Sequence, residues 1–175
     1  MKKMMIFVIV LLFLSSAYAF DKGTINAGGG LSFSSTKANS DADAATNFLL
    51  AVKGGYFIMD NLSLDLVLQY SSWSQGDYDD SSTALGLGGR YFFMDKFYAG
   101  PAFLHTSSGD SDWSSTANFL KLEAGYLHPL VENVYLEFGV NYQMGFGEYG
   151  GDGAGDNEET AFNIAVGLEF FFMNQ

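Results

Sequence analysis

Three features of this chain predict an all-β fold, an eight-stranded antiparallel up-and-down transmembrane β-barrel with short periplasmic turns and longer extracellular loops. Apolar and polar residues alternate with a period of two along most of the chain, which is the pattern of half-buried strands. Short turns alternate with longer polar connections. A motif at the short turns recurs about every 35 to 37 residues, which is the length of one hairpin pair in a meander.

The composition agrees with a membrane-embedded barrel and excludes several other classes. Of the 175 residues, 48% are hydrophobic, 17% are aromatic and only 16% are charged, whereas about 25% are charged in ordinary soluble domains. A chain this apolar can order itself, which excludes disorder. The absence of cysteine excludes disulfide scaffolds and thiolate chemistry. A formal net charge of −12 argues against a nucleic-acid partner, because phosphates require a basic face.

The N-terminus has the pattern of a cleaved export signal. Two lysines precede the apolar run Met4–Leu14, and Ala17 and Ala19 occupy the small-residue positions of a cleavage site. The apolar run is too short to span a bilayer comfortably. We therefore expect residues 1–19 to be removed as a signal peptide, leaving residues 20–175 as the barrel domain.

The alternation divides the mature chain into eight predicted strands. The last strand is the clearest, because its apolar residues hold every second position without a break. The predicted strands lie at 23–34, 47–58, 62–71, 83–93, 97–106, 116–130, 134–147 and 161–172.

The connections between these strands are of two kinds that alternate along the chain. The short turns are Met59–Asn61, Met94–Lys96 and Val131–Asn133. The longer connections are Ser35–Ala45, Ser71–Ser82, Ser107–Ser115 and Gly147–Glu159. The longer connections are rich in Gly, Ser, Asp and Asn, and they hold more than half of the acidic residues. In transmembrane barrels the longer loops face outside.

Alternation alone does not say which face points outward, since a soluble ligand-binding barrel has the same period with its apolar face inside. Strand lengths and aromatic residues at both strand ends favour the membrane. The less apolar face also carries charges of both signs, which could pair inside a narrow barrel. The predicted interior charge network comprises Lys53, Asp65, Arg90, Lys121, Glu123, Glu137 and Glu169.

The sequence resembles the small eight-stranded outer-membrane barrels of Gram-negative bacteria, the group that contains OmpX, the adhesin Ail and the membrane domain of OmpA. In that family the last strand ends on an aromatic residue and has apolar residues at every second position. The residues that match are Ile164, Val166, Leu168, Phe170 and Phe172. The resemblance implies that they form the assembly signal for the barrel-assembly machinery. The chain departs from the family pattern in continuing for three residues beyond the aromatic.

Neither catalysis nor a metal site is predicted. His105 and Ser107 share one face of a strand, and outer-membrane lipid A deacylases use a similar pair completed by a carboxylate. Glu123, the nearest acid on the following strand, falls on the opposite face, so no third group orients the histidine. The last long connection is interpreted as a solvated acidic loop. Its candidate ligands for a hard cation, were one to bind, are Asp152, Asp156, Glu158 and Glu159.

The sequence therefore predicts a non-enzymatic, porin-like outer-membrane barrel with a structural or surface-interaction role in adhesion or envelope integrity. Its lumen is expected to be filled by side chains and to form no wide pore. We expect a monomer without a cofactor that contacts outer-membrane lipid and lipopolysaccharide and offers its acidic loops to a surface ligand. The alternatives are an OmpW-like narrow channel for small hydrophobic molecules, a lipid A-modifying enzyme and a soluble lipocalin-like binder. The channel would need a gap in the wall or a continuous path through the lumen.

Overall fold

Eight antiparallel strands form a closed barrel in the computed structural model, which describes residues 20–36, 45–76, 78–93, 96–109, 114–151 and 155–172. The strands are β1 Ile25–Thr36, β2 Ala45–Met59, β3 Leu62–Gln75, β4 Tyr78–Phe93, β5 Phe97–Gly109, β6 Ser114–Val131, β7 Val134–Gly151 and β8 Thr160–Phe172. Each strand pairs with its neighbours in chain order, and β8 pairs back onto β1. The predicted eight-stranded up-and-down barrel is confirmed.

The predicted signal peptide and its cleavage residues Ala17 and Ala19 lie outside the described residues. Within the described part of the chain, no helix is long and apolar enough to cross a membrane.

The outer surface of the barrel is apolar. On β3, for example, Leu64, Leu66 and Leu68 are about half exposed. Ser63 and Asp65, which alternate with them, are buried in the interior. This arrangement is the inverse of a soluble ligand-binding barrel, in which the apolar face fills the interior. The lipocalin-like alternative therefore does not describe this protein.

Tight turns close one end of the barrel, which we call the turn end. Asp60 and Asn61 connect β2 to β3, and Glu132 and Asn133 connect β6 to β7. The two asparagines have φ values of 62° and 63°, in the left-handed region that asparagine tolerates better than most residues. The register also shifts beside each turn, as in hairpins closed by a left-handed residue.

The predicted strand boundaries at the opposite end, the loop end, were wrong. The connection predicted as Ser71–Ser82 is only Gly76 and Asp77, because β3 continues to Gln75 and β4 begins at Tyr78. Similarly, β7 extends to Gly151. At the ends of β3 and β4, serines occupy both faces, so alternation of polarity disappears while the backbone ladder continues. The other predicted long connections are shortened in the same way.

A cluster of buried apolar side chains, most of them aromatic rings, fills the turn end of the barrel, and we call it the plug. Its members are Phe20, Phe57, Phe92, Tyr98, Leu127 and Phe171, and Tyr135 packs against them. The rings meet edge to face and tilted as well as stacked, the geometries that aromatic pairs favour. The plug is an apolar core inside a barrel whose outer face is also apolar.

The segment before β1 folds across the turn end and supplies one ring of the plug. Phe20 is only 3% exposed, and its ring stacks on Phe171 with the centroids 4.1 Å apart. The backbone N–H of Phe20 donates to the Asn61 side chain at 3.1 Å, and the Asn61 N–H donates back to the Phe20 carbonyl at 2.9 Å. The N–H of Phe57 also donates to the Thr24 carbonyl at 2.9 Å. These hydrogen bonds join the N-terminal segment to the β2–β3 turn.

Replacing Phe171 by alanine should lower the free energy of unfolding by about 3–5 kcal/mol, because it leaves a cavity between rings that cannot collapse onto one another. The matched control is Phe170→Ala, whose ring points outward and leaves no void inside. Urea denaturation of both variants in lipid vesicles measures the difference. Equal destabilisation by the two substitutions would show that the ring of Phe171 in the plug contributes no more to the free energy of unfolding than an outward-facing ring.

Candidate functional site

A fully buried arginine lies at the centre of the barrel interior. Arg90 on β4 donates from Nε to Asp65 at 2.8 Å and from Nη2 to the same carboxylate at 3.1 Å. It also donates from Nη1 and Nη2 to Glu169 on β8, at 2.9 and 2.7 Å. Both carboxylates are thus held by two hydrogen bonds each, the geometry for which the planar guanidinium is suited.

A lysine extends this network across the barrel. The Nζ of Lys53 on β2 lies 2.5 Å from Glu137 on β7 and 3.2 Å from Glu169. The Tyr98 hydroxyl also donates a short hydrogen bond to Glu137. We call Lys53, Asp65, Arg90, Glu137 and Glu169 the ion cluster. Because its members come from β2, β3, β4, β7 and β8, it also joins strands that share no backbone ladder, such as β4 with β8 and β2 with β7.

The ion cluster has two cations and three carboxylates, and neutral donors assist the carboxylates. Asn26 donates to Glu169 at 2.7 Å, and Ser63 donates to Asp65 at 3.0 Å. These hydrogen bonds matter because a buried charge is tolerated only when it is paired and its remaining hydrogen-bonding positions are satisfied. Within the described interior, the only buried side-chain polar atom without a partner is Oδ1 of Asn26.

Lys121 and Glu123 form a separate interior pair on β6, with 2.7 Å between nitrogen and oxygen. It lies on the loop side of the ion cluster and is somewhat less buried. The structure thus places all seven predicted interior charges inside the barrel, in two groups. Every described member of the two groups has an oppositely charged partner.

The plug lies directly beneath the ion cluster. The guanidinium of Arg90 is 5.2 Å from the ring centroid of Phe92 and 5.1 Å from that of Tyr98. Gly125 on β6 makes room for Tyr98, because a Cβ at this position would collide with the tyrosine ring. Cations over aromatic faces are favourable at these distances. Together the two layers fill the cross-section of the barrel near the turn end.

The ladder between β1 and β8 is much shorter than the other ladders. It pairs Ile25–Gly29 with Leu168–Phe172, whereas β1 pairs with β2 along its whole length. Above this ladder, Leu31–Thr36 and Thr160–Val166 have backbone partners on one side only. We call this part of the wall the seam. Side chains along it are unusually open, with Leu31 75% and Ile164 78% exposed.

A cavity of about 410 Å³ lies between the seam and the interior charges. Its outer lining is apolar, from residues such as Leu31, Ile164 and Val166. Its inner lining includes both charged groups described above, through Lys53 and Lys121. The plug, the seam and this cavity were not predicted from the sequence.

The histidine and serine considered for catalysis both lie on the exposed face of β5. His105 is exposed on the outer face, and its Nδ1 lies 2.9 Å from the Asn118 side chain. Ser107 is also exposed, and Glu123 is paired with Lys121 inside the barrel. Among the described residues, no carboxylate is hydrogen-bonded to this histidine as a triad would require.

The candidate cation ligands are not brought together as a site. Asp156, Glu158 and Glu159 are exposed, and Asp152 lies outside the described residues. The described residues contain no group of three or more His, Cys, Asp or Glu side chains that could hold a metal ion.

The residues of the predicted assembly signal all lie on the outer face of β8. They are Ile164, Val166, Leu168, Phe170 and Phe172, and each is exposed. Their inward neighbours Phe171 and Glu169 belong to the plug and the ion cluster. The last strand therefore has one apolar outer face and one face that anchors the interior.

The fold is similar to that of solved bacterial barrels. The crystal structure of Neisserial surface protein A (NspA) matches with a TM-score of 0.53 and 18% identity, over 84% of this chain and 94% of that chain. The N-terminal β-barrel domain of Pseudomonas aeruginosa OprF matches with a TM-score of 0.49 and 17% identity, over 86% of this chain and 98% of that chain. No family model and no curated protein matches the sequence. At these identities the likeness to NspA establishes the fold, a small eight-stranded barrel of the kind found in outer membranes.

Replacing Arg90 by methionine should destabilise the barrel by about 3–5 kcal/mol, because Asp65 and Glu169 would be left buried without their cation. The conservative variant Arg90→Lys should recover only part of this loss, since one ammonium cannot bind two carboxylates with two hydrogen bonds each. Lys121→Met is the matched control and should cost less, because its pair is less buried. Urea midpoints in vesicles compare the three, and a larger effect at Lys121 would contradict this ranking.

Proposed function

We propose that this protein is an integral outer-membrane barrel that performs no catalysis and conducts no solutes, with a structural or surface-interaction role. In this proposal residues 1–19 are an export signal cleaved after Ala19, and the short turns face the periplasm. The barrel acts as a monomer whose loop end contacts lipopolysaccharide and surface ligands.

The outer surface supports the membrane placement. The lipid-facing positions of every strand carry large apolar side chains, which an aqueous compartment would leave as an extended exposed patch. Outward-facing aromatic residues lie near both ends, with Tyr56 and Phe97 at the turn end and Tyr70 and Tyr142 at the loop end. Such rings are characteristic of the two interfaces of a transmembrane barrel.

The observation that carries the non-conducting role is the filled interior. The ion cluster crosses the lumen and the plug lies beneath it, and this filling of the described interior supports a barrel without a solute path to the turn end. Eight-stranded barrels are just wide enough for their own side chains to fill them. This packing argues against a wide diffusion pore.

The loop end supports a role in surface contact. Asp79, Asp80, Glu148, Asp156 and Glu158 are all exposed there. The described residues of this end include no lysine or arginine. A basic ligand, or a cation-bridged anionic headgroup, would complement this surface.

A second candidate, a narrow route for small hydrophobic molecules, is favoured by the seam alone. The seam gives the wall a lateral gap, but the ion cluster and the plug lie between this gap and the turn end. A route of this kind would have to pass through them. Flux measurements distinguish the two candidates.

We expect the folded protein to fractionate with the outer membrane, to migrate differently on gels before and after boiling, and to begin at Phe20 by N-terminal sequencing. A soluble protein that shows no gel shift would contradict the membrane placement. A chain that still carries residues 1–19 would contradict signal cleavage but not the barrel.

We also expect vesicles containing the folded protein to be no more permeable to small sugars than vesicles without it, as judged by light scattering. Removing plug rings by the double substitution Phe92→Ala and Tyr98→Ala should increase ion leakage, whereas Phe97→Ala, on the outer face, should not. Sugar uptake through the unsubstituted protein would overturn the non-conducting role. Transport of an alkane in the absence of sugar uptake would favour the second candidate.

A further inference from the structure

We propose that the cavity at the seam binds one single-chain amphiphile with a small neutral head group, such as a hydroxyl or an amide. The head group lies against the polar floor of the cavity, and the alkyl chain leaves through the seam into the surrounding lipid. This inference rests on the membrane placement proposed above. It adds a ligand site to a barrel that otherwise has no assigned ligand.

The backbone at the seam requires a hydrogen-bonding occupant. In an antiparallel strand, alternate N–H and C=O groups point to each side. Those of Leu31–Thr36 and Thr160–Val166 that point across the seam have no ladder partner among the described residues. In hydrocarbon an unsatisfied backbone group costs several kcal/mol. A head group that both donates and accepts can satisfy some of these groups, whereas an alkane cannot.

The strands that border the seam leave space on their inner faces. The inward positions that line the cavity there are Gly30 on β1 and Ala165 and Gly167 on β8, which have little or no side chain. These small residues account for a cavity of about 410 Å³, which lies within the range of about 300–1,000 Å³ that is usual for ligand sites. Its volume therefore suits a small ligand better than a protein segment.

The opening of the cavity is apolar and continuous with the lipid-facing surface. Leu31, Ile164 and Val166 line it, and all three are more than half exposed on the outer face. A chain that leaves through this opening would cover side chains that lack a neighbouring strand. Each contact between the alkyl chain and these side chains adds a small dispersion attraction, and the many contacts along the chain together stabilise binding. The opening therefore selects an alkyl chain.

The charges in the inner lining of the cavity determine which head group binds best. The interior holds three cations and four carboxylates among its described residues, each already in an ion pair. An anionic head group would add a second uncompensated negative charge to this interior, which is costly in a medium of low dielectric constant. Tyr98, Gln69 and Asn141 also line the cavity and offer neutral hydrogen-bonding groups. A fatty alcohol or amide should therefore bind better than the corresponding fatty acid.

Photolabelling of the full-length protein folded in vesicles tests this site. The probes are a long-chain alkyl alcohol with a diazirine near its hydroxyl group and the matching alkyl carboxylate. We expect saturable labelling by the alcohol at residues 29–31 and 164–167, with competition by unlabelled alcohol. We expect labelling by the carboxylate to be weaker by about tenfold, which corresponds to about 1.4 kcal/mol.

Two variants on the same face of β8 provide the control. Ala165→Trp fills the cavity and should abolish labelling at these residues, whereas Ala161→Trp lies outside the cavity lining and should not. Should the Ala165 variant fail to give the gel shift of a folded barrel, Ala51→Leu narrows the cavity from β2 instead.

Labelling that spreads evenly over the lipid-facing strands, or that persists when the cavity is filled, would overturn the site. Equal labelling by the carboxylate would overturn the head-group preference. A wild-type protein without a gel shift would instead show that the membrane placement had failed.

Discussion

The structure depends on how one buried guanidinium is satisfied. Near the turn end the barrel is filled by its own side chains, so a charge buried there must find its partners among other side chains. Arg90 has four hydrogen bonds to two carboxylates, and it has no exposed surface. Through Asp65 and Glu169 it holds β3 and β8 against β4. The interior side chains therefore link strands to one another through ion pairs, in addition to occupying the lumen.

This connection explains how the barrel stays closed where its backbone ladder is weakest. The β1–β8 ladder covers only Ile25–Gly29 and Leu168–Phe172. At the same level, Glu169 is bound by Arg90 and Lys53, and Phe171 is stacked in the plug. Side-chain contacts therefore reinforce the closing strand in its paired half. Towards the loop end these contacts cease, the inner residues become small and the seam begins.

The sequence predicted the fold well because period-two alternation is local and eight strands display it. It predicted the interior charges because they occupy the less apolar face of strands whose other face is apolar. The plug was missed although a signal was present. Phe57, Phe92 and Leu127 hold the same position in the three repeats, each an apolar residue on the otherwise polar face. This common position is seen only when the strand residues that precede each turn are compared, and not when the turns alone are compared.

The seam could not be predicted, since the register between the first and last strands has no local determinant in the sequence. The loop-end strand boundaries were missed for a related reason. Serines on both faces of β3 and β4 remove the alternation there, while backbone pairing continues from Ser71 to Gln75. The alternation in the sequence thus indicates where the outer face of a strand stops being apolar. The end of the strand itself is set by its backbone hydrogen bonds, which continue further.

The most direct test of the central claim is a double-mutant cycle between Arg90 and Glu169, measured as free energies of unfolding in vesicles. If their pairing closes the barrel, Arg90→Met and Glu169→Gln should not be additive. The double variant should be more stable than the sum of the single losses predicts, with a coupling energy of about 1–3 kcal/mol. Additive losses would show that the two residues act independently and that the backbone ladder alone holds β8 in place.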